Sequence, residues 1–433
     1  MIKVITYGTY DFLHYGHIRL LERAKALGDY LIVGITTDDF DMVRGKINVQ
    51  QSLMERMEAV RATGIADEII IEEYEGQKID DIRKYDIDIF TVGSDWVGKF
   101  DYLKAYCKVV YLERTEGISS SEIRKEKKKI KLGLIGDSVF LNKVYEESKY
   151  VNGISVSGVF TNKKYMMNQE LSSKFVDSYD NLLEQSDAIY IRSLPEKHFS
   201  HIKTALDHGK HVLCESPISL IMDESKNLFL EANKKKLILM EAIKTAYSTA
   251  FSRMLLLIKG GMIGRIISVD AVCTSLSKDK TDWPGIYEWA PTALLPIYEI
   301  LGNEEKHTII SHYDKDGKDM FTKIEFLFED AVASIKVGNG IKSEGELIIS
   351  GTKGYIYVPA PWWKTDYFEI RYEDQNNNKR YFYQLDGEGI RYELVAFKRA
   401  IETGKDCPNI NLNTTLSIVK ILEDYTKKNV IKI

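Results

Sequence analysis

The stretch YGTYDFLHYGH, residues 7–17, follows a short apolar run and leads directly into a helical pattern. It brings His14 and His17 to a helix N-terminus, where backbone N–H groups and the helix dipole favour a phosphate. Imidazoles can donate hydrogen bonds to charge that develops on such a phosphate, and Gly16 allows close approach of a ligand to the backbone. Either histidine alone is also explained as a surface or capping residue, but the combination predicts a phosphate-handling site.

Apolar runs alternate with helical patterns around this stretch, which predicts a βαβ unit extended into a parallel α/β sheet. The predicted strands are residues 2–5, 30–35, 69–71, 87–92 and 109–112. The charged stretch RKEKKK, residues 124–129, interrupts the pattern and is typical of a solvated helix end and linker.

A second series of strands is predicted at residues 131–135, 154–160, 188–191 and 211–214, with a helix from residue 196. This series predicts a second doubly wound α/β domain. After residues 260–261 the pattern changes to alternation, which predicts a largely antiparallel sheet with one covered face, closed by helices near 390–403 and 412–427. We therefore expect an α/β chain with domains at 1–129, 130–246 and 247–433, the last being an α+β substrate and oligomerisation domain.

The composition argues against several classes of function. The net charge of -5, with 59 basic and 64 acidic residues mixed along 433, gives no broad positive field for nucleic acid. The four cysteines lack the close pairs of a zinc site or the density of a disulfide framework. No signal peptide and no apolar run of about 18 residues is present, so the sequence predicts a soluble, cytoplasmic protein without membrane partners.

A second candidate phosphate cradle is ERTEGISSS, residues 113–121, which follows a predicted strand and precedes a helical segment. It places hydroxyls and amides at a helix start. By itself the segment is equally explained as an ordinary capping sequence.

Together these segments resemble the glycerol-3-phosphate cytidylyltransferase branch of the nucleotidyltransferase superfamily. The marks are GTYD at 8–11, HYGH at 14–17, GSDW at 93–96 and RTEGIS at 114–119, within a resemblance that covers residues 1 to about 126. The resemblance implies in-line attack of a polyol phosphate on the α-phosphorus of CTP, with release of pyrophosphate. It also implies a Mg²⁺ ion bound mainly through the triphosphate, with no protein nucleophile and no metal site made of protein ligands.

The same resemblance implies residue roles. His14 and His17 would stabilise the pentacoordinate transition state, with Lys46 as a further catalytic candidate. Arg44 and Lys46 are candidate phosphate clamps, although solvated loop cations explain them equally well. Residues 62–67 (ATGIAD) stand where relatives usually show an arginine before Val-Asp-Glu, so the acceptor contacts are expected to differ. The residues expected to hold CTP are Thr9, Tyr10, Arg44, Asp95, Arg114, Thr115, Gly117 and Ser119.

In the second half, Gly133-Leu-Ile-Gly136 follows a strand and precedes a helix, as dinucleotide binding requires. Ser138 stands where the next fingerprint glycine would fall. A tight strand-to-helix turn is the alternative interpretation.

Further motifs occur in order: PEKH at 195–198, ALDHGKHVLCESP at 205–217, LMEA at 239–242 and GMIGR at 261–265. They resemble the family of glucose-fructose oxidoreductase and inositol dehydrogenase (Gfo/Idh/MocA), over nearly all of residues 130–433. The resemblance implies a Rossmann domain that binds NAD or NADP and an open-faced sheet that presents a sugar or polyol to the nicotinamide. The residues expected at the cofactor are Gly133, Gly136, Ser138, Asn162, Lys163, Pro195, His198 and Glu215.

The active-site positions depart from this family. Ser216 replaces the lysine of the usual Glu-Lys-Pro, and the usual Asp-x-x-x-His pair falls on Glu288 and Thr292, so these three residues are the substrate-side candidates. The customary proton donor is missing, and reduction of a ketone needs another acid. Lys244, with Tyr247 beside it, is the predicted replacement; a surface lysine next to a packed tyrosine is the alternative.

Two further segments bear on ligands. Residues 160–164 (FTNKK) contain no acid for the ribose of NAD, and their lysines suit a 2′-phosphate, which favours NADP unless they are solvated loop residues. The aromatic loop 359–366 (PAPWWKTD) is expected either to line the substrate side or simply to pack.

The pairing of the two halves predicts a bifunctional enzyme that reduces a keto-sugar phosphate with NAD(P)H and activates the polyol phosphate as a CDP-polyol. Such products supply teichoic-acid-like or capsular polymers. One alternative is a cytidylyltransferase with a non-catalytic dinucleotide-binding module; another is a different acceptor, such as a phosphocholine-like molecule. A homodimer or larger homo-oligomer is expected.

Overall fold

The structure is a computed structural model, and it describes residues 1–43, 49–74, 76–113, 129–276, 283, 285–383, 385–404 and 409–433. These residues form two compact units, Met1–Lys129 and Ile130–Ile433. The linker predicted at 124–129 lies, except for its last residue, outside the described residues.

The first unit is built on a five-stranded parallel sheet with strand order β3-β2-β1-β4-β5. The order reverses between β1 and β4, and ligands of such sheets bind at this switch point, beyond the carboxyl ends of the strands. All five predicted strands are confirmed. The strands are β1 Lys3–Gly8, β2 Tyr30–Thr36, β3 Glu68–Glu72, β4 Ile89–Gly93 and β5 Lys108–Leu112. The helices are α1 Tyr15–Lys25, α2 Asp38–Val43, α3 Leu53–Ala62 and α4 Gln77–Tyr85.

Both faces of this sheet are buried. Val4 and Val33 pack in one apolar cluster, whereas Ile5 and Ile32 pack in another on the opposite face. Strands covered on both sides need apolar residues at every position, which explains the unbroken apolar runs in the sequence.

The second unit begins with another five-stranded parallel sheet, ordered β10-β9-β8-β6-β7, with its switch point between β6 and β8. The second doubly wound domain predicted from the sequence is thus confirmed as a fold. Its strands are β6 Ile130–Ile135, β7 Ile154–Phe160, β8 Ala188–Ile191, β9 His211–Glu215 and β10 Leu239–Ala242. Its helices are α5 Phe140–Ser148, α6 Gln169–Ser172, α7 Tyr179–Glu184, α8 Pro195–Asp207 and α9 Met222–Lys235.

A nine-stranded sheet completes the second unit, in the order β18-β17-β16-β15-β11-β14-β13-β12-β19. Six of its eight neighbouring pairs are antiparallel; β11–β14 and β12–β19 are parallel. The predicted largely antiparallel sheet is confirmed, and helix α11 packs on β11, β13 and β14. The strands are β11 Ile266–Ser275, β12 Lys306–Tyr313, β13 Asp319–Leu327, β14 Val332–Asn339, β15 Leu347–Gly351, β16 Tyr355–Val358, β17 Tyr367–Arg371, β18 Lys379–Phe382 and β19 Ile431–Lys432. The helices are α10 Thr249–Lys259, α11 Gly285–Leu301, α12 Ile390–Thr403 and α13 Leu412–Thr426.

Within the described ranges, no helix has both the length and the apolar character needed to cross a membrane. Cys107, Cys214 and Cys273 are free thiols.

Candidate functional site

The two histidines of the first unit meet at the start of α1, beyond the end of β1. The His14 and His17 rings stack with centroids 3.9 Å apart and planes inclined by 22°. His14 also caps α1, because its Nδ1 accepts a hydrogen bond of 3.1 Å from the Gly16 N–H. That bond uses Nδ1 as the acceptor and leaves Nε2 as the donor nitrogen of a neutral ring. The structure thus brings the predicted catalytic pair together at a helix N-terminus.

The loop before these histidines has an unusual backbone that its neighbours hold in place. Tyr10 and Phe12 have φ angles of 54° and 47°, a left-handed region that bulky residues rarely adopt. Asp11 Oδ1 accepts from the N–H groups of Gln50, at 3.1 Å, and Gln51, at 3.0 Å. The Phe12 N–H donates to Gln51 Oε1 at 2.6 Å. Such backbone strain persists only where the surroundings over-determine it, and it clusters at functional sites.

Arg56, a residue that the sequence analysis missed, ties this loop to the sheet. Its side chain is fully buried, and Nη1 donates to the carbonyl oxygens of Thr9 and Thr36, both at 2.8 Å. The Thr9 hydroxyl donates to Asp41 Oδ1 at 2.9 Å, and Arg56 forms an ion pair with Asp38. Nothing in the sequence around Arg56 distinguishes it from a solvated helix arginine.

Several of the predicted CTP-site residues lie outside the described residues: Arg44, Lys46, Arg114, Thr115, Gly117 and Ser119. Residues on both sides of the first gap, Asp41 and Gln50, hydrogen-bond to the loop after β1. Asp95 is exposed in the turn after β4, the strand adjacent to β1. Thr9, Tyr10 and the two histidines therefore share one edge of the sheet with Asp95.

The second unit contains a cleft at the carboxyl ends of β8, β9 and β10. The structure brings five predicted residues together there, namely Glu215, Ser216, Lys244, Glu288 and Thr292. The aromatic loop contributes Trp363 and Lys364 to the lining of this cleft, while Trp362 and Trp363 are themselves buried.

Glu288 is engaged by Arg192, another residue that the sequence analysis missed. Arg192 is 6% exposed, and its Nη2 lies 2.9 Å from both carboxylate oxygens of Glu288. The guanidinium also lies over the ring of Trp283, 3.7 Å from its centroid. Glu288 thus acts as the counter-ion of a buried cation at the position of the family's usual aspartate.

Two groups in the cleft have shifted acidities. Burial lowers the pKa of Lys244, whose Nζ lies 3.2 Å from Glu388 Oε2. Burial raises the pKa of Glu215, whose carboxylate accepts a hydrogen bond from the Tyr190 hydroxyl. A lysine that gives up its proton more easily and a carboxyl group that keeps its proton are the two acid candidates in the cleft.

Unlike Lys244, Tyr247 is not among the residues that line the cleft. It is 6% exposed, and its hydroxyl donates to the carbonyl oxygen of Glu241 at 2.8 Å. The packed tyrosine considered from the sequence is the interpretation that this geometry supports, and the catalytic prediction for Tyr247 is corrected accordingly. The Ser216 hydroxyl donates to the buried carboxyl group of Glu241.

The two fingerprint glycines serve packing. Gly133 lies inside β6, where a Cβ would stand 2.5 Å from Ser186 Oγ, and its contact with a cofactor remains a prediction. Gly136 has φ 147°, and a Cβ there would come within 2.2 Å of the Arg192 carbonyl oxygen. Ser138 Oγ accepts from the Phe140 N–H at 3.2 Å. The N–H groups of Leu141 and Asn142 donate to the carbonyl oxygens of Ser138 and Val139, so the first three N–H groups of α5 are already bonded within the protein.

An acid lies beside the end of β7. Asp137, from the first turn, accepts hydrogen bonds from the Asn162 N–H at 2.7 Å and the Thr161 hydroxyl at 3.0 Å. Residues 160–164 themselves contain no acid, as the sequence shows, but the fold places the Asp137 carboxylate beside Asn162. Asp137 belongs to the turn after β6 and not to the end of β7, so it does not by itself favour NAD over NADP.

Pro195 and His198 hold α8 in place. Pro195 is the first residue of α8, where its missing N–H costs nothing. His198 is fully buried, with Nδ1 2.6 Å from the Pro217 carbonyl oxygen and Nε2 2.8 Å from that of Ser193. Burial lowers the pKa of His198 to about 4. His198 is thus a structural link between two turns, and its contact with a cofactor remains a prediction.

No group of three or more His, Cys, Asp or Glu side chains in the described part of the chain is arranged to hold a metal ion. The first doubly wound sheet has two stacked imidazoles at its switch point. The second has a cleft lined by ionisable side chains and is followed by an open sheet. These features define a chain with two enzyme-type α/β units. Comparisons with known proteins agree with this class.

Residues 5–126 match the family model described as cytidylyltransferase-like, and residues 132–243 match that of the oxidoreductase family with an NAD-binding Rossmann fold. The glycerol-3-phosphate cytidylyltransferase of Bacillus spizizenii is 53% identical over 126 residues, which are 29% of this chain and 97% of that protein. Through its first unit the chain belongs to the cytidylyltransferase-like family, and an oxidoreductase domain of the Gfo/Idh/MocA family follows in the same chain.

Two further proteins are similar to the second unit. The trans-1,2-dihydrobenzene-1,2-diol dehydrogenase of Bos taurus is 24% identical over 273 residues, which are 59% of this chain and 81% of that protein. A crystal structure of a 3-ketoreductase from Actinomadura kijaniata, in complex with TDP-benzene and NADP, superposes with a TM-score of 0.63 at 17% identity. It covers 71% of this chain and 99% of its own, and at this identity it shows the fold alone.

Proposed function

We propose that the chain makes a CDP-polyol in two steps: NAD(P)H-dependent reduction of a keto-sugar phosphate, then cytidylyl transfer from CTP to the resulting polyol phosphate with release of pyrophosphate. The observation that carries the proposal is the joining of these two enzyme domains in one chain. Reduction of a ketone in a sugar phosphate yields a polyol phosphate. That product belongs to the acceptor class of the relatives that resemble the first unit.

In the transfer step, the acceptor phosphate attacks the α-phosphorus of CTP in line, and pyrophosphate leaves. His14 and His17, at the N-terminus of α1, would donate hydrogen bonds to the oxygens on which charge develops. Thr9, Asp95, Arg114 and the other predicted CTP residues would hold the nucleotide. Mg²⁺ would enter with the triphosphate and neutralise part of its charge.

In the reduction step, a bound NADH or NADPH supplies the hydride. Its pyrophosphate would lie at the turn between β6 and α5, where the dipole of the helix favours an anion. The chain must supply the proton for the alkoxide, and Lys244 is our proposed donor, because it lines the cleft and its burial lowers its pKa. Ser216 and Thr292 would contact the substrate from the same cleft.

We further propose that the second unit divides near residue 246 into a cofactor-binding part and a substrate part, and that the protein works in the cytoplasm as a homodimer or larger homo-oligomer. CDP-polyols supply polyol phosphate units to teichoic-acid-like and capsular polymers. Synthesis of such precursors is the role we propose for the enzyme.

A second candidate function is a cytidylyltransferase that carries a non-catalytic dinucleotide-binding module. Serines replace the family lysine at position 216 and the fingerprint glycine at position 138, and Asp137 adds a carboxylate to the phosphate-binding turn. This function predicts binding of a dinucleotide without turnover.

The deciding experiment incubates the full-length protein with CTP, Mg²⁺ and a panel of ketose phosphates and matching polyol phosphates. Pyrophosphate release is followed without cofactor, with NADH and with NADPH. Release from a polyol phosphate alone, and from its ketose only with a reduced cofactor, supports the proposed function and identifies the substrate. If no reduced cofactor ever matters, the reductase proposal fails and the second candidate takes its place.

A further inference from the structure

Three lysines from three separate elements converge on one carboxylate in the cleft of the second unit. Glu388 Oε1 lies 3.0 Å from the Nζ of Lys143, on α5. Glu388 Oε2 lies 3.2 Å from Lys244, after β10, and 2.9 Å from Lys364, in the aromatic loop. Such convergence brings three like charges together, which is unfavourable unless an anion lies between them.

A single carboxylate does not balance this cluster. Among the described residues that line the cleft, Arg192 and Glu288 form an ion pair whose net charge is zero. Glu215 also lines the cleft, but burial raises the pKa of its carboxyl group, and Glu388 is the carboxylate that contacts all three lysines. The cleft therefore has an excess of positive charge at this place, which suits a group more highly charged than one carboxylate.

Exposure orders the three lysines from the floor of the cleft to its mouth. The side chains of Lys244, Lys364 and Lys143 are 21%, 35% and 55% exposed. Lys244 lies with Ser216 on the inner wall, whereas the other two lysines are open to solvent and accessible to an arriving ligand.

The segment that carries Glu388 has a backbone built to place this carboxylate. Gly387, Glu388 and Gly389 have φ angles of 57°, 53° and 93°, three left-handed residues in a row before α12. Two are glycines, for which this region costs nothing, but Glu388 pays a steric penalty there. Its position among the lysines is therefore held by their charge rather than by local backbone preference.

We propose that this cluster is the subsite for the phosphate group of the reductase substrate, with Glu388 filling the place until the phosphate arrives. Lys143 and Lys364 bind the phosphate oxygens at the mouth, and Lys244 remains with the carbonyl end at the floor. A phosphate dianion offers more charge and more acceptor oxygens than Glu388, so it displaces that carboxylate. The inference rests on the proposed function and names the part of the cleft that selects a phosphorylated ketose.

The test uses full-length Lys143→Met and Lys364→Met, with Lys149→Met as the matched control. Lys149 follows the same helix α5 but pairs with Glu146 and Glu170. NADPH oxidation gives KM for a ketose phosphate and for the unphosphorylated ketose. We expect KM for the phosphate ester to rise about tenfold in each of the two cleft variants, the cost of one charge-assisted hydrogen bond, with KM for the free ketose and cytidylyl transfer unchanged. Equal changes for both ketoses, or no change, would overturn the proposal.

The variant Glu388→Gln tests whether Glu388 occupies the phosphate position or only forms a structural ion pair. Removing the competing charge should lower KM for the ketose phosphate several-fold, by about the effect of one nearby like charge. An unchanged KM with a lowered melting temperature would show that Glu388 only holds the lysines together, and the phosphate subsite would be rejected.

Direct binding distinguishes failure of this inference from failure of the proposed function. Ketose phosphates are titrated calorimetrically into the full-length proteins, and any binding at the acceptor site of the first unit is common to all variants and cancels in the comparison. If the wild type reduces no ketose phosphate, binding that is lost in the two cleft variants but kept in Lys149→Met still supports the subsite. Equal binding in all variants, or no binding to the wild type, overturns it.

Discussion

His14 combines two tasks, because its Nδ1 caps α1 while its ring stacks on His17. Asparagine is a good N-cap but lacks an imidazole, so His14→Asn separates the tasks. We expect it to lower kcat for cytidylyl transfer by about 10²–10³-fold, the cost of one oxyanion donor, with little change in melting temperature. His14→Ala should lose both the activity and about 1 kcal/mol of stability. Pyrophosphate release and thermal unfolding check both variants, and an active His14→Asn enzyme would exclude the catalytic role.

In the second unit, the proposed role of Lys244 as the proton donor can also be tested separately from cytidylyl transfer. As the proposed acid it must be protonated, so reduction should proceed below its pKa and fall as the pH rises through it. Because burial lowers that pKa, the fall should occur below the usual lysine range. Lys244→Met should abolish NADPH oxidation and leave cytidylyl transfer intact.

Glu215→Gln is the control for that result, since Glu215 is the other acid candidate in the cleft. If the glutamine variant loses reduction while Lys244→Met retains it, the proton comes from the carboxyl group instead. A pH–rate profile of each variant decides between the two residues.

At the scale of elements, apolar patterns predicted both parallel sheets because their strands are buried on both faces. The sequence could not show which loops meet beyond those strands. Asp137 reaches Asn162, 25 residues away, and Lys143 reaches Glu388, 245 residues away. The burial of His198 could not be predicted either, because a short motif does not reveal whether a side chain is buried or faces a ligand.

The link between α8 and the turn at Pro217 should make the second unit acid-sensitive. Burial lowers the pKa of His198 to about 4, so its neutral form stabilises the fold. This contribution is fully present above the unfolded pKa of about 6.5 and is lost as the pH falls toward 4.

His198→Gln tests that link, since an amide can donate a hydrogen bond to a backbone carbonyl oxygen without titrating. We expect the variant to lose less unfolding free energy than the wild type between pH 7 and pH 4.5, measured by urea denaturation. His201, whose pKa is also lowered to about 4 by burial, should preserve part of the acid sensitivity. Identical pH dependence in variant and wild type would show that His198 does not contribute.

At the scale of the whole molecule, the first unit contains what a separate cytidylyltransferase contains. The match to the Bacillus spizizenii enzyme spans 97% of that protein. We therefore expect residues 1–129, expressed alone, to fold and to activate a polyol phosphate with kcat/KM within a few-fold of the full chain. The isolated unit should release no pyrophosphate from a ketose phosphate, with or without NADPH.

Adding residues 130–433 as a separate protein tests what fusion contributes. If polyol phosphate passes freely through solution, the mixture should restore CDP-polyol synthesis after a lag, while the intermediate accumulates to about the KM of the transferase. The full chain should then show the same lag at equal concentrations of sites, because joining two domains does not by itself shorten a path through solvent. A lag that disappears only in the fused chain would mean that the intermediate is retained between the units, and fusion would then serve transfer as well as joint expression.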